Sequence, residues 1–365
     1  MKHVKKSKLI SIGTASPKYK YAQAELADWM HQRLNKEDER LGRKLRILYE
    51  KTSIKYRHSV LPDFGVKNKP SLLFLDTKKA PPVEDRLTIY KKEALTLGLV
   101  AANNCLKKAN TQPLEITHLI SVSCTGMSAP GLEIELKKAL DLAPKTQTHA
   151  VNFVGCYAAF PALKMADAFC RADPSAKVLI VAVELCTLHF QNKMSDDHTL
   201  SNSLFADGAA ATLIANAENE GELVIENFSN LLMDEGKNDM AWDIYADGFL
   251  MKLSSYVPQL VDEGIARLLN SAGVEKNNIN HWAIHPGGRK ILEACEKELE
   301  LNSDDLAASY TILRNYGNLS APTVLFVLEE LLETQTLKAG EKIFSCGFGP
   351  GLTLESAVFK VAKNA

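Results

Sequence analysis

The two halves of the sequence repeat a pattern of helix, loop and strand. The segment "LVAANNCLKKANTQPLEITHLISVSCTG" shows this order, and so does "GIARLLNSAGVEKNNINHWAIHPGG". His118 begins the first predicted strand and His281 begins the second, 163 residues later. Strand and helix patterns alternate throughout the chain, which predicts an α/β architecture. The repetition adds that this architecture is built from two similar halves.

Two further pairs of segments support the duplication. "FVGCYAAFPALKMA" matches "RNYGNLSAPTVLFVL", and Cys156 and Asn318 both follow a glycine and open a predicted helix. "AKVLIVAVE" matches "GEKIFSCGF", which pairs Glu184 with Cys346. The alternative to a duplication is that any two strand–helix units have similar sequence patterns. We predict an N-terminal half over residues 1–217 and a C-terminal half over 218–365, joined within the polar stretch 215–228.

Composition excludes several functional classes. The 365 residues carry a formal net charge of −1, which argues against nucleic acid as the main partner. No run approaches the roughly 20 apolar residues of a membrane-spanning helix, and "LISIG" near the start is too short for a signal peptide core. The seven cysteines show neither CxxC spacing nor a paired histidine motif. We therefore expect reduced thiols in a cytoplasmic protein, with no metal site and no membrane or nucleic-acid partner.

Three residues at equivalent places in the halves suggest a catalytic site. A pseudo-twofold axis would bring Cys156 and Asn318 together, and His285 lies where a predicted strand ends before "PGG". A helix N-terminus and an imidazole can both lower the pKa of a thiol and make it a nucleophile. Histidine and asparagine can donate hydrogen bonds to a developing oxyanion. Taken singly, each has a plainer interpretation: a small core residue, a helix N-cap and a turn residue.

The remaining cysteines and glycines are predicted to be structural. Cysteines in helical patterns are expected to pack in the core, whereas those at strand ends are expected to border a pocket. The first group is Cys105, Cys170 and Cys295, and the second is Cys124, Cys186 and Cys346. The glycine-rich segments 204–214 and 347–357 match no phosphate-binding loop, and we predict that they are turns beneath the active site.

Several motifs together resemble the type III polyketide synthases, the chalcone synthase-like family. They are "GCYAAFPAL", "SLFADGAAATL", "HPGGRKIL", "YGNLSAPTVLFVL" and "GFGPGLTLE", and the resemblance covers nearly the whole chain, with bacterial members the more similar. It implies the thiolase-like fold, in which two duplicated βα halves form a layered αβαβα architecture. It also implies a homodimeric acyltransferase that condenses an acyl-CoA starter with malonyl-CoA. Coenzyme A thioesters are then the substrates, and no tightly bound cofactor is required.

The resemblance also assigns roles to individual residues. Cys156 is similar to the nucleophile that holds the chain as a thioester, while His285 and Asn318 resemble the pair that binds the thioester carbonyl and drives decarboxylation. Phe205 resembles an aromatic gate between the CoA tunnel and the cavity. The other pocket residues implied are Cys124, Cys186, His189, Ser320, Met251 and Trp242. The CoA-binding residues implied are Lys44, Lys51 and Gly287, and the glycine-rich loop comprises Gly347, Gly349 and Gly351. A third basic position of the CoA set is occupied here by Ile47.

The resemblance further predicts a cyclised product of the pyrone or of the resorcinol or phloroglucinol type. It leaves open the starter, the number of extensions and the mode of cyclisation. His189 and Trp242 are bulky for their pocket positions, so we expect a short product from a small starter. The alternative is that His189 turns onto a backbone partner and Trp242 into the core.

Three other functions fit part of the sequence. A single-step condensing enzyme of the ketoacyl synthase III type is the nearest, although "HPGG" stands where that type has "HQAN". A cysteine hydrolase with a Cys-His-Asn triad is less compatible with symmetric halves. A non-catalytic acyl-CoA-binding paralogue is disfavoured by the intact Cys156, His285 and Asn318.

Overall fold

The computed structural model describes residues 6–65, 71–75, 79–193, 195–216, 222–237, 239–254 and 256–363. The strands are β1 (Ser7–Ala15), β2 (Tyr19–Ala22), β3 (Tyr56–Ser59), β4 (His118–Ser123), β5 (Gln147–Asn152), β6 (Lys177–Leu185), β7 (Asp207–Asn216), β8 (Leu223–Leu232), β9 (Met240–Tyr245), β10 (Gly248–Leu253), β11 (His281–Ile284), β12 (Lys342–Gly349) and β13 (Thr353–Val361). The helices are α1 (Gln23–Asn35), α2 (Glu39–Lys51), α3 (Val83–Lys108), α4 (Leu132–Ala139), α5 (Ala159–Ala172), α6 (Asp196–Leu204), α7 (Val257–Ser271), α8 (Arg289–Glu298), α9 (Ala307–Tyr316) and α10 (Thr323–Thr334).

The main sheet shows the duplication directly. Its nine strands run in the order β11-β12-β13-β8-β1-β7-β6-β4-β5. From the centre outward, β1-β7-β6-β4 in the N-terminal half has the same order as β8-β13-β12-β11 in the C-terminal half. The halves meet where Lys8 pairs with Val224 and Leu9 with Leu223. The predicted α/β fold with two similar halves is confirmed, whereas the predicted boundary between residues 217 and 218 lies outside the described residues.

The N-terminal and C-terminal halves of this sheet form two strand layers, and helices lie between them and on both outer sides. Strand β6 is buried on both faces: Val178 and Ile180 pack in the cluster that contains α5 and α10, while Leu179 and Val181 pack in the cluster that contains α3. The alternation follows from the two-residue period of a strand. A third cluster joins α7 and α8 to the C-terminal strands. The order of layers is therefore helix, sheet, helix, sheet, helix.

The two halves differ immediately before Asn318. In the N-terminal half, β5 precedes the cysteine turn, but the corresponding residues of the C-terminal half form α9. Ala308, Ser309, Ile312 and Leu313 are buried in α9, which is the spacing of one helical face. Asn318 therefore follows a helix and not a strand end, contrary to the symmetry expected from the sequence.

One sequence match was out of register. In the parallel ladders, His118 pairs with Val178 and His281 pairs with Ile343. The matching positions of β6 and β12 are thus 165 residues apart rather than 162. The match of Glu184 with Cys346 is therefore wrong by three residues, because the connections before β6 and β12 differ in length.

The glycine-rich segments are mostly strands and not turns, which corrects the prediction. Residues 207–216 form β7, buried along its whole length, and residues 342–349 and 353–361 form β12 and β13. Small residues are needed there because helices pack closely on both faces. A Cβ on Gly208 would lie 2.9 Å from a methyl group of Leu319. Among the described residues, no helix is long and apolar enough to cross a membrane.

Candidate active site

Cys156 lies in a tight turn between β5 and α5. Gly155 adopts a φ of +96°, which L side chains rarely adopt, and a Cβ there would lie 2.2 Å from Cδ of Pro350. Glycine is thus required at this position both for conformation and for space. The turn places Cys156, which is 6% exposed, on the wall of a cavity.

Asn318 is held rigidly by its own amide and by its backbone. Its Oδ1 accepts a hydrogen bond from the N–H of Ser320 at 2.8 Å, and its Nδ2 donates to the carbonyl of Gly287 at 3.1 Å. Its backbone N–H donates to the carbonyl of Leu204 at 2.9 Å. The segment forms an isolated parallel bridge with Phe205 of the N-terminal half. Asn318 therefore sits at the contact between the two halves.

His285 follows β11 and faces the same cavity. Its backbone N–H donates to the carbonyl of Cys346 at 2.9 Å. The residue is 1% exposed, and within the described part of the chain neither ring nitrogen has a hydrogen-bond partner. Buried polar atoms without partners are rare in proteins, so the imidazole is available to a ligand.

Burial sets the protonation of these groups in the free protein. It raises the pKa of the Cys156 thiol to about 12, although hydrogen bonding with Ser320 and Asn318 acts in the lowering direction. Burial lowers the pKa of His285 to about 3. The prediction of a lowered thiol pKa was therefore wrong for the surroundings of Cys156 alone, because desolvation outweighs the nearby donors.

The cavity has a volume of about 430 Å³. It is lined by Cys156, His285 and Asn318 together with all the pocket residues expected from the sequence, namely Phe205, Cys124, Cys186, His189, Ser320, Met251 and Trp242. Of the CoA-binding residues expected, Lys51 and Gly287 line it, but Lys44 does not. Lys44 is exposed and forms an ion pair with Asp196 at 3.6 Å. Cys346 is buried within β12 and does not border the cavity.

His189 and Trp242 both line the cavity and both bind backbone atoms. The ring Nδ1 of His189 accepts from the N–H of Phe249 at 3.1 Å, so Nε2 carries the proton donated to the carbonyl of Thr125 at 2.6 Å. Burial lowers the pKa of His189 to about 3. The indole Nε1 of Trp242 donates to the carbonyl of Cys124 at 2.7 Å. His189 thus has the backbone partners considered in the alternative interpretation, yet its ring still forms part of the wall.

Comparison with known proteins identifies this site. The family model for the N-terminal domain of chalcone and stilbene synthases matches residues 2–218, and the model for their C-terminal domain matches residues 225–362. The chain belongs to the chalcone and stilbene synthase family. These enzymes are type III polyketide synthases, acyltransferases that use CoA thioesters as substrates.

Individual relatives agree with the family assignment. The chain is 29% identical to the alpha-pyrone synthesis polyketide synthase-like Pks18 of Mycobacterium tuberculosis over 88% of this chain and 84% of that protein. The crystal structure of PKS-I from the brown alga Ectocarpus siliculosus superposes with a TM-score of 0.90 at 26% identity, covering 99% of each chain. 1,3,6,8-Tetrahydroxynaphthalene synthase from Streptomyces coelicolor, a bacterial type III polyketide synthase, gives a TM-score of 0.87 at 27% identity, covering 98% of this chain and 99% of that one. The thiolase-like fold is thereby confirmed.

The open end of this polyketide synthase cavity carries basic residues, some of which were not predicted from the sequence. Arg289, Lys290 and His198 line the cavity together with Lys51. Arg289 and Lys290 are exposed and begin α8, directly after the "HPGG" motif. Two basic residues immediately after a glycine pair were the signal that could have revealed them. Lys290 adds positive charge beside Lys51, whereas Arg289 pairs with Glu293 at 2.6 Å.

Glu184 is a further residue of the site that was not predicted from the sequence. Its carboxylate accepts from the N–H of Cys124 at 3.0 Å and from the hydroxyl of Thr125 at 2.8 Å. The hydroxyl of Ser320 lies 3.3 Å from it. Burial raises the pKa of Glu184 to about 7, and its charge acts to raise the pKa of Cys156. A lone acidic residue in the apolar run "VLIVAVEL" was the available signal.

The glycine-rich loop supports the cysteine turn without lining the cavity. Gly347, Gly349 and Gly351 are absent from the lining, whereas Phe348 and Pro350 between them are part of it. A Cβ on Gly349 would lie 2.5 Å from the ring of Tyr157, the residue after the nucleophile position. Among the described residues, no group of three or more His, Cys, Asp or Glu side chains is arranged to hold a metal ion.

Proposed function

We propose that this type III polyketide synthase holds its growing chain as a thioester on Cys156, with His285 and Asn318 as its catalytic partners. The observation that carries the proposal is the convergence of three groups on one cavity. A buried thiol, an imidazole with no partner on either nitrogen within the described residues, and an amide fixed by two hydrogen bonds all line it.

The loading step needs a proton acceptor for the thiol. His285 is neutral and can take the proton of Cys156, which gives a thiolate and an imidazolium in the same cavity. The thiolate attacks the carbonyl of the acyl-CoA, and the CoA thiolate leaves with the proton from His285. The side-chain amide of Asn318 and an N–H of His285 stabilise the oxyanion.

The elongation step uses the same donors. Malonyl-CoA loses CO₂, and the electron pair of the broken bond forms an enolate whose oxygen is held by Asn318 and His285. The enolate carbon attacks the thioester carbonyl of Cys156 and releases its thiolate. The product is a β-ketoacyl-CoA that is two carbons longer, and its return to Cys156 allows the cycle to repeat.

We propose that the CoA phosphates lie at the basic entrance. Lys51 of the N-terminal half and Lys290 of the C-terminal half are exposed cations that line the same cavity. Gly287 is part of the same lining. Lys44 contributes charge from the surface of α2, although it pairs with Asp196. Phe205 lines the same cavity and would act as the gate, and Met251 would contribute to the pocket.

The products and the setting of the enzyme follow from the same assignment. We propose cyclisation to a pyrone or to a resorcinol or phloroglucinol-type ring. The similarity to a protein named for alpha-pyrone synthesis supports the first of these. The reaction as written needs no tightly bound cofactor, because CoA supplies the acyl chemistry. All seven cysteines are free thiols, which supports a reducing, cytoplasmic location.

We also propose that the enzyme is a homodimer of two-domain protomers. A homodimer agrees with the resemblance to the family. The proposed domains are residues 1–217, which carry the nucleophile, and residues 218–365, which carry His285 and Asn318. The division is supported by the separate matches of the N- and C-terminal family models, over 2–218 and 225–362.

Cys156→Ala tests the central assignment. Incubation with malonyl-CoA and a panel of acyl-CoA starters, followed by mass spectrometry, should show no polyketide from this variant, because no thioester can form. Slow decarboxylation of malonyl-CoA should persist, since the donors of His285 and Asn318 remain. Elongation at the wild-type rate would refute the assignment, and products extended only once in the wild type would favour a ketoacyl synthase III-like enzyme.

Asn318→Ala tests whether Asn318 acts mainly in decarboxylation and elongation and less in loading of the starter. One lost oxyanion donor costs about 2.7–4 kcal/mol in comparable sites, which corresponds to a 10²–10³-fold loss of rate. The loss should fall on decarboxylation and elongation more than on loading of the starter, measured as acyl-enzyme by intact-protein mass spectrometry. Equal losses of loading and of decarboxylation with elongation would indicate structural damage where the two halves meet.

A further inference from the structure

The C-terminal end of α6 is the place where the gate and the catalytic asparagine meet. The last carbonyls of a helix have no partner within the helix and must be satisfied by other groups. Here the carbonyl of Leu204 accepts from the backbone N–H of Asn318 at 2.9 Å. The carbonyl of Ser203 accepts from Nε2 of Gln23 at 2.7 Å. The end of α6 is thus tied to both halves of the molecule.

Arg57 donates to two further carbonyls, one in the last turn of α6 and one on the residue that follows the helix. Its Nη1 donates to the carbonyl of Asn202 and to the carbonyl of Phe205, both at 2.7 Å. Its Nε donates to Oε1 of Gln23 at 2.8 Å, which orients the amide that caps Ser203. The carbonyl of Asn202 also accepts from the hydroxyl of Tyr49 at 3.3 Å. A cation at a helix C-terminus is also favoured by the helix dipole. Arg57, which is 3% exposed, therefore binds the end of α6 directly through two carbonyls and indirectly through Gln23.

The stem of Arg57 supports the asparagine from the other side. Gly317 adopts a φ of +74°, and a Cβ there would lie 3.0 Å from Cγ and 3.1 Å from Cδ of Arg57. The head of the side chain thus fixes Phe205 while its stem backs the turn that presents Asn318. Both residues line the cavity, whereas Arg57 does not.

We propose that Arg57 is a positioning residue. It holds the amide of Asn318 and the ring of Phe205 in fixed positions relative to each other, where the two halves of the molecule meet. This inference rests on the proposed function, because it acts through Asn318. Loss of its hydrogen bonds would let the end of α6 shift and would carry the backbone N–H of Asn318 with it. A misplacement of about 1 Å at a reacting centre can cost on the order of 100-fold in rate. The loss should fall on malonyl-CoA decarboxylation more than on loading of Cys156.

Arg57→Met keeps much of the stem and removes the donors. Loading is measured as acyl-enzyme by mass spectrometry, and decarboxylation as acetyl-CoA formed from malonyl-CoA. We expect decarboxylation to fall by on the order of 100-fold and loading to fall several-fold at most. Arg57→Lys, which restores the charge and a single donor group in place of the guanidinium fork, should recover part of the decarboxylation.

Arg86→Met is the matched control. Arg86 is equally buried and donates to the carbonyls of Pro81, Leu188 and Phe190, but not to the end of α6. Its loss should lower the melting temperature and reduce loading and decarboxylation together. The same uniform loss in Arg57→Met would overturn the proposal.

Gln23→Met covers the case in which Arg57→Met does not fold. It removes one hydrogen bond to the end of α6, one to Arg57 and one to the hydroxyl of Thr52. A smaller but still selective loss of decarboxylation is expected, and a uniform loss would refute the proposal. If the wild type itself neither loads starters nor decarboxylates malonyl-CoA, the proposed function fails. The position of Asn318 relative to Leu204 in a crystal structure of the variant then decides the structural inference, and an unchanged position would refute it.

Discussion

Cys156 and His285 are each neutral in the free protein because each is buried. Burial raises the pKa of the thiol to about 12 and lowers that of the imidazole to about 3. Neither charged form is favourable by itself, but a thiolate and an imidazolium formed together leave the net charge of the cavity unchanged. The reactivity of Cys156 should therefore depend on its partner and not on its own surroundings.

His285→Gln tests this dependence. Without the imidazole, the thiol should be alkylated far more slowly by iodoacetamide at pH 7, and the rate should rise steeply with pH because the thiol pKa is raised. Peptide mapping by mass spectrometry isolates Cys156 from the other thiols, and alkylation of the unfolded protein is the control for reagent. Equal alkylation rates in the wild type and the variant at pH 7 would show that His285 does not accept the proton.

At the level of elements, the hairpin of β9 and β10 forms one wall of the cavity. Trp242 of β9 pairs with Met251 of β10, and its indole packs edge-on against His189 and Phe249 at centroid distances of 5.8 and 6.0 Å. His189 in turn stacks on Phe249 at 4.1 Å. These rings support one another, so the wall is rigid and its position limits the space for a growing chain.

Trp242→Ala should enlarge the cavity and admit longer starters or give longer products. The change also removes the hydrogen bond to Cys124 and part of the aromatic packing, so a loss of stability below the 3–5 kcal/mol typical of a fully buried tryptophan is expected. The measurement is product length by mass spectrometry with short and long acyl-CoA starters. Tyr245→Ala on the same strand, where the side chain is exposed and lies outside the cavity lining, should leave product length unchanged.

If the wild type already prefers starters of a dozen or more carbons, the wall formed by the β9–β10 hairpin does not limit the length of the growing chain. In that case the chain must pass both His189 and Trp242, and the prediction of a short product fails. Unchanged product length in Trp242→Ala, with a normal melting temperature, would have the same meaning.

At the scale of the whole molecule, buried titratable groups make stability depend on pH in two opposite ways. Burial lowers the pKa of His58 to about 4 and those of His189 and His285 to about 3. These histidines favour the folded state above their ordinary pKa of about 6.5, and that contribution is lost as the pH falls. Burial raises the pKa of Glu184 to about 7 and that of Asp207 to about 6, so these carboxyls destabilise the fold as the pH rises above their ordinary values.

His189→Gln isolates one of these contributions. Between pH 6.5 and 4, the unfolded wild type binds one more proton at His189 than the folded protein does. The free energy of unfolding of the wild type should therefore fall more steeply on acidification, by up to about 1.4 kcal/mol per pH unit. Urea unfolding at pH 7, 6 and 5 measures the slopes. Parallel slopes for wild type and variant would show that His189 titrates normally in the folded state.

The sequence alone was sufficient for the features that depend on local pattern. The alternation of strands and helices, the repeated segments and motifs such as "GCYAAF" and "YGNLSAP" predicted the thiolase-like fold and the polyketide synthase family. The meeting of Cys156, His285 and Asn318 in one cavity was expected from the repeat and from the resemblance to the family, whereas Lys44 and Cys346 lie outside the cavity lining. Gly155 and Gly317 are local requirements of the turns that present Cys156 and Asn318. Such features follow from short-range geometry, which a few adjacent residues determine.

Only the tertiary structure decided the features that depend on distant partners. The backbone partners of His189, the neutral state of Cys156 and the cap that Arg57 forms on α6 have no local signal. Arg57 and Phe205 are 148 residues apart in the chain, and Trp242 and Cys124 are 118 apart. Desolvation and hydrogen-bond satisfaction are properties of the folded interior, because each depends on which groups from elsewhere in the chain enclose a side chain.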